Sequence, residues 1–189
     1  DDGSGTVAVL EAMQILSAEK KNKRSILGIF HTGEEKGLFG SKYVTEHAGF
    51  MKNVIADINM DMVGRESIDS LYCIGSDKLS TEFSKIIKDV NAETVNFVLD
   101  YKFDSPNDPE KLYYRSDHYN YAAKGIPVVF FYDDMKTDYH KFTDDIEKIN
   151  FEKILKTTIL SANLALRVSN LEHKLIVDKK VEESLNFGM

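Results

Sequence analysis

Cysteine is nearly absent. Cys73 is the single one in 189 residues, so neither an internal disulfide nor a cysteine-rich zinc site is available, and any metal must be held by His, Asp and Glu. Long apolar runs are missing as well: the longest, residues 126–132, is far below the roughly 18 to 20 residues that cross a bilayer, which excludes a spanning helix. Basic residues are outnumbered, 24 Lys plus Arg against 31 Asp plus Glu for a net charge of −7, the wrong sign for gripping a phosphate backbone. Nucleic acid is not expected as a partner. Internal repeats, low-complexity segments, an initiator Met and a signal-type start are also lacking. What remains is 42 % hydrophobic and 29 % charged, an ordinary composition for one globular domain.

Read along the chain, the turn Asp1-Asp2-Gly3-Ser4-Gly5 leads into a helix. Val9, Ala12, Met13 and Leu16 recur at helical spacing, and Ser4 or Thr6 is available as its cap. Residues 25–31 (Ser-Ile-Leu-Gly-Ile-Phe-His) and 54–60 (Val-Ile-Ala-Asp-Ile-Asn-Met) are nearly continuous apolar runs, the form of strands covered on both faces. Between them, residues 41–47 suit a helix. A strand at 71–74 precedes a helix carrying Phe83, Ile86, Ile87 and Val90. Residues 95–99 suit an edge strand, 126–132 a strongly apolar strand and 151–168 a long amphipathic helix. This alternation predicts a three-layer αβα sandwich with a mixed, mostly parallel sheet. Residues 171–189 are expected to form either a last strand or a loose extension of a body spanning residues 1–170.

In such folds the loops after the carboxyl ends of strands converge on one crevice. Metal-type ligands stand at four of these places. Asp1 lies in the glycine turn, Glu34 and Glu35 follow the run ending at His31, Asp61 follows Met60, and His140 follows the last apolar strand. Oxygen-rich sets with a few imidazoles suit zinc, and a shared carboxylate lets two ions sit about 3.5 to 4 Å apart. Neighbours in an extended loop point different ways, so one of Glu34 and Glu35 can ligate while the other acts as a general base.

These residues sit in motifs. Asp1-Asp2-Gly3-Ser4-Gly5-Thr6, Gly33-Glu34-Glu35-Lys36-Gly37-Leu38-Phe39-Gly40-Ser41, Asn59-Met60-Asp61-Met62, Arg115-Ser116-Asp117-His118 with Gly125-Ile126-Pro127, and Tyr139-His140 with Asp144 resemble, in order, the motif set of the zinc-dependent M28 aminopeptidases. The resemblance implies that Asp1 bridges two zinc ions, that Glu35 and His140 complete one, and that Asp61 helps hold the other. It makes Glu34 the general base and assigns oxyanion stabilisation to a tyrosine, Tyr139 first and Tyr113 second. Arg115, Ser116, Asp117 and His118 would shape the substrate pocket, and Asp144 would orient the His140 imidazole from behind.

The family's second zinc also takes a histidine from an upstream His-x-Asp motif. The sequence begins after that point, and none of His31, His47, His118 and His173 takes the missing place by motif. The chain is therefore expected to be the carboxyl-terminal two-thirds of its domain, with two zinc ions in the intact site and the second held weakly here. The implied activity is hydrolysis of the N-terminal residue from peptides bearing a free amine, with export from the cytoplasm implied by the same resemblance. Competing readings are a carboxypeptidase or dipeptidase of the same family, a single-zinc acyltransferase resembling glutaminyl cyclase, and a peptidase-like binding domain without catalysis.

Overall fold

The structure, a computed structural model, describes residues 1–65, 67–133 and 137–181. In chain order its elements are α1 (Gly3–Glu19), α2 (Phe39–His47), β1 (Asp57–Asp61), β2 (Ser70–Ile74), α3 (Thr81–Glu93), β3 (Val98–Asp100), α4 (His118–Ala122), β4 (Val128–Tyr132) and α5 (Phe151–Ser169). The strands form one sheet in the order β1-β4-β2-β3. β1 and β4 are parallel, β2 and β3 are parallel, and β2 meets β4 antiparallel. The sheet is thus mixed, with helices on both faces.

β4 shows why. Its five residues, Val-Val-Phe-Phe-Tyr, have no polar face, and alternation sends them to opposite sides. Val129 and Phe131 join Phe83, Ile87, Leu160 and Leu164 in the larger core. Val128 and Phe130 pack with Ile74, Tyr121 and Ala122 in the smaller one. Cys73 is a buried part of the larger core and carries a free thiol.

Two expectations need correction. The cap of α1 is neither Ser4 nor Thr6 but Asp2, whose Oδ1 accepts from Gly5 N at 2.8 Å. More consequentially, residues 25–31 are not a strand. Their composition suits one, but a strand requires a partner for its ladder, and among the described residues none of their backbone groups is paired. Leu27 and Phe30 are correspondingly exposed, at 61 % and 56 %.

Beyond α5 no further strand forms within residues 171–181. This segment docks against α3: Leu175 is buried, Ile176 N donates to Glu82 Oε2 at 2.9 Å, and Thr81 N donates to Asp178 Oδ1 at 3.0 Å. The rest of the expected extension, residues 182–189, lies outside the described residues.

Candidate active site

The carboxyl end of β1, the start of α1 and two loops meet at one corner. Gly5 permits this approach, because a Cβ there would stand 2.1 Å from Met60 O and 2.2 Å from Asp2 Oδ2. Asp2 ties the corner together by accepting from both Gly5 N and Met62 N, the latter at 2.9 Å. The sequence signals this role of Asp2 only by its place directly before the helix, the N-cap position.

Glu34 and Glu35 lie in a 3-10 turn, Glu34–Lys36, rather than in an extended loop. Gly33 and Gly37 flank it with φ of +68° and +114°, conformations that side chains resist. Successive residues of such a turn diverge by roughly 120°. Glu35 accordingly reaches His140, with Oε2 2.9 Å from Nε2, while Glu34 remains half-buried beside it.

His140 Nε2 also stands 3.1 Å from Asp1 Oδ2. One ligand atom from each of Asp1, Glu35 and His140 lies within 4.8 Å of the others, the one such metal-type group among the described residues. Donors on a zinc ion bound at about 2.0 to 2.2 Å sit roughly 3.4 Å apart, so this nitrogen and these two oxygens fit zinc after a small adjustment.

Asp61 is placed differently. It ends β1 and accepts from Ser116 Oγ at 2.8 Å, and that hydroxyl in turn accepts from Asn59 Nδ2 at 2.8 Å. Burial first, and then the nearby Asp2 carboxylate, push the Asp61 carboxyl up to about 7. Glu34 is likewise raised to about 7, by burial and then by its neighbour Glu35.

A pocket of about 380 Å³ opens beside these groups. Met62, Phe103, Leu112, Phe130 and Tyr132 give it an apolar wall, with Asp1, Glu34, Glu35 and Asp61 at one side and Arg115 and Tyr139 also lining it. The Tyr139 ring stacks on that of His140 with centroids 3.8 Å apart, and its hydroxyl lies 3.4 Å from an Arg115 guanidinium nitrogen.

Several expected residues fall elsewhere. Tyr113 is buried beneath Gly75 and does not line this pocket, because its ring is taken up by aromatic packing with Tyr114, His118 and Tyr119. His118 is wholly buried, stacked on Phe130 at 4.7 Å, and burial drives its imidazole down to about 3. It does not line this pocket, nor does Asp117, which lies toward His31 and Ser41. Ser116 serves Asp61 instead. Asp144 holds no imidazole; its Oδ2 accepts from the Asp1 backbone nitrogen at 2.8 Å and its Oδ1 pairs with Arg65.

Arg65 carried no motif signal. Its guanidinium pairs with Asp144 and with Asp138, 3.6 Å away, one on each side of His140 in the chain. Its backbone N–H donates to Asp133 Oδ2 at 2.8 Å, and Asp133 is itself paired at 3.3 Å with the fully buried Lys153 ammonium. The loop bearing His140 is thereby tied to the core.

The chain is similar to known proteins over most of its length. A "Probable leucine aminopeptidase" of Arthroderma otae is 29 % identical over 181 residues, covering 89 % of this chain and 47 % of that protein. "Leucine aminopeptidase 1" of Sclerotinia sclerotiorum is 27 % identical over 191 residues, covering 89 % and 46 %. The crystal structure of the LapA aminopeptidase of Legionella pneumophila superposes with a TM-score of 0.76 at 26 % identity, over 91 % of this chain and 47 % of that one. The zinc aminopeptidase BSAP from Bacillus subtilis, at 22 % identity and a TM-score of 0.67, shares the fold. The chain thus spans about half the length of the relatives it matches. Residues 1–165 match the model of Peptidase family M28, and the chain belongs to that family.

Proposed function

We propose that the protein is a zinc-dependent aminopeptidase that removes the N-terminal residue of peptides. The observation that carries this reading is the meeting of Asp1, Glu35 and His140 beside Glu34, at the mouth of an apolar pocket. The names of the fungal and Legionella relatives support the activity, and that of the Bacillus structure supports zinc.

Asp1, Glu35 and His140 would hold one ion, and Asp1 with Asp61 would contribute to a second. With three of these side chains on the first ion and two on the second, the first would be held more tightly. Bound zinc supplies Lewis acidity, which lowers the pKa of water from 15.7 toward about 7. Glu34, half-buried and close to the ligands, takes the proton of the attacking water and returns it to the leaving amine. The Tyr139 hydroxyl donates to the oxyanion that develops on the scissile carbonyl. The pocket walled by Phe103, Phe130 and Tyr132 receives an apolar N-terminal side chain. Residues 1–170 form the catalytic body and 171–189 an extension, and the protein acts outside the cytoplasm.

The test is a pair of substrates and one variant. Leucyl p-nitroanilide is expected to be cleaved and its N-acetyl derivative spared; equal cleavage of both rules out an aminopeptidase. Glu34→Gln is expected to lower kcat by about 10²- to 10⁴-fold with zinc content unchanged. Turnover that survives the substitution would remove Glu34 from the role of base.

A further inference from the structure

The pocket beside the acidic corner has a second charged end. Asp61, Tyr132 and Tyr72 are paired in register across β1, β4 and β2, and residues paired across a sheet point to the same face. Two strand spacings put Tyr72 about 10 Å from Asp61 along that row. Lys102, in the 3-10 turn that follows β3, lines the pocket at this far end. Its Nζ donates to the Tyr72 hydroxyl at 2.7 Å and stands 4.2 Å from the centre of the Tyr72 ring and 4.5 Å from that of Phe103.

The two basic side chains of the pocket differ. The Arg115 guanidinium is already met by Glu110 at 3.2 Å and by the Tyr139 hydroxyl at 3.4 Å. Among the described residues no carboxylate lies within ion-pair distance of the Lys102 ammonium. An ammonium has three donors and Tyr72 takes one, so two N–H groups are left for a ligand. The two rings hold the cation in place for it.

Along its length the pocket is thus acidic at Asp1, Glu34, Glu35 and Asp61, aromatic in the middle and cationic at Lys102. The middle is continuous, with Tyr132 ring centroids 5.4 Å from Phe130 and 6.0 Å from Phe103. A complementary ligand carries a positive group, then methylenes, then a carboxylate. That is the order of groups in an N-terminal glutamyl residue. Its side chain carries the carboxylate about 5 Å from Cα, and a charge-assisted N–H···O bond adds about 2.8 Å. Together they cover most of the distance between the two ends, and an aspartyl side chain is one methylene shorter.

We propose that Lys102 makes this pocket accept peptides with an N-terminal glutamate as well as apolar residues, the glutamyl methylenes lying on Phe103, Phe130 and Tyr132 and the carboxylate on the ammonium. The role rests on the aminopeptidase reading, which puts the free amine at the acidic end.

Full-length protein with zinc bound is assayed on glutamyl and leucyl p-nitroanilides. Lys102→Met is expected to lower the ratio of kcat/KM for the glutamyl over the leucyl substrate by roughly tenfold or more, the loss of a hydrogen bond between charged groups. Lys102→Arg is expected to restore most of that ratio, and Lys102→Glu to lower it further while raising cleavage of lysyl p-nitroanilide. A ratio unchanged in Lys102→Met overturns the proposal, as does a parallel loss of both activities, which marks a merely structural lysine. Wild-type protein that cleaves the leucyl and spares the glutamyl substrate overturns it too, and leaves the aminopeptidase reading standing. Calorimetric titration with free L-glutamate and L-leucine needs no turnover. Glutamate binding that Lys102→Met weakens more than leucine binding supports the cationic end, and if neither anilide is cleaved the aminopeptidase reading alone falls. Glutamate binding that is absent, or indifferent to Lys102→Met, overturns the role of Lys102.

Discussion

Glu35 and Asp61 face the same corner from opposite surroundings. Glu35 is half exposed, and it meets the equally exposed His140 and the Asp1 carboxylate across a gap of about one ion. Asp61 is half-buried at a strand end and is fixed by Ser116, which is itself fixed by Asn59. The exposed set is pulled together from three distant parts of the chain, and a cation is the natural relief of its crowded charge. The strand-end carboxylate is a single candidate ligand, oriented before any ion arrives, and desolvation opposes its ionisation. One end of the site is made by assembly and the other by preorganisation.

The sharpest way to break this comparison is His140→Ala. It removes one of three assembled ligands, so zinc affinity is expected to fall by more than the ~10- to 100-fold typical of outer partners, and activity with it. Competition with a chromogenic chelator measures this. Unchanged affinity would show that the exposed set does not bind the metal.

Burial itself is tested next. Asp57, with Oδ2 buried and unpartnered, has a carboxyl raised by desolvation from 3.8 to about 7. In the metal-free fold it therefore keeps a proton that the unfolded chain has lost, so its contribution to stability is complete below about pH 4 and is lost as pH rises to about 7. Asp57→Asn is expected to flatten the fall of stability between about pH 5 and 6.5 by roughly 1 kcal/mol per pH unit. Urea melts at both ends of that window give the slope, and an unchanged slope would place the proton elsewhere.

Preorganisation is tested by Ser116→Ala. Freed from its donor, Asp61 is expected to lose about 10- to 100-fold in metal affinity at its end of the site, while the first-bound ion is retained. Equal loss of both ions would dissolve the distinction. The smallest effect is expected from Arg65→Met, which loosens the loop behind His140 and lowers the affinity of the first ion by about tenfold or less, with Arg65→Lys restoring part of it. Loss at the Asp61 end alone would contradict the tie described for Arg65.

The sequence made some of this legible and hid the rest for physical reasons. β4 and α5 follow from composition and periodicity, because a strand buried on both faces has no polar residues to spare and a packed helix shows its apolar stripe. Residues 25–31 carry the same signal and form no strand, because composition records what a segment is suited to pack against and not whether its backbone finds a partner. Motif order indicated Glu35 and His140, which the fold does bring together. It misplaced His118 and Tyr113, since an aromatic or imidazole next to a motif is consumed as readily by packing as by a pocket. Arg65 and Asp133 gave no signal at all, because their role depends on which loops the tertiary fold sets side by side.

The proposed ligands Asp1, Glu35 and His140 come from the turn before α1, a tight 3-10 turn and a late loop, and Phe142 in that loop is 96 % exposed. Apolar packing does little to hold the loop down. An ion seated among these three side chains is therefore a cross-link that closes two long stretches of chain, and it stabilises the folded form in proportion to its occupancy, by about 2.7 kcal/mol at a hundred times its Kd. Under that reading, stripping the metal would also cut a fastening.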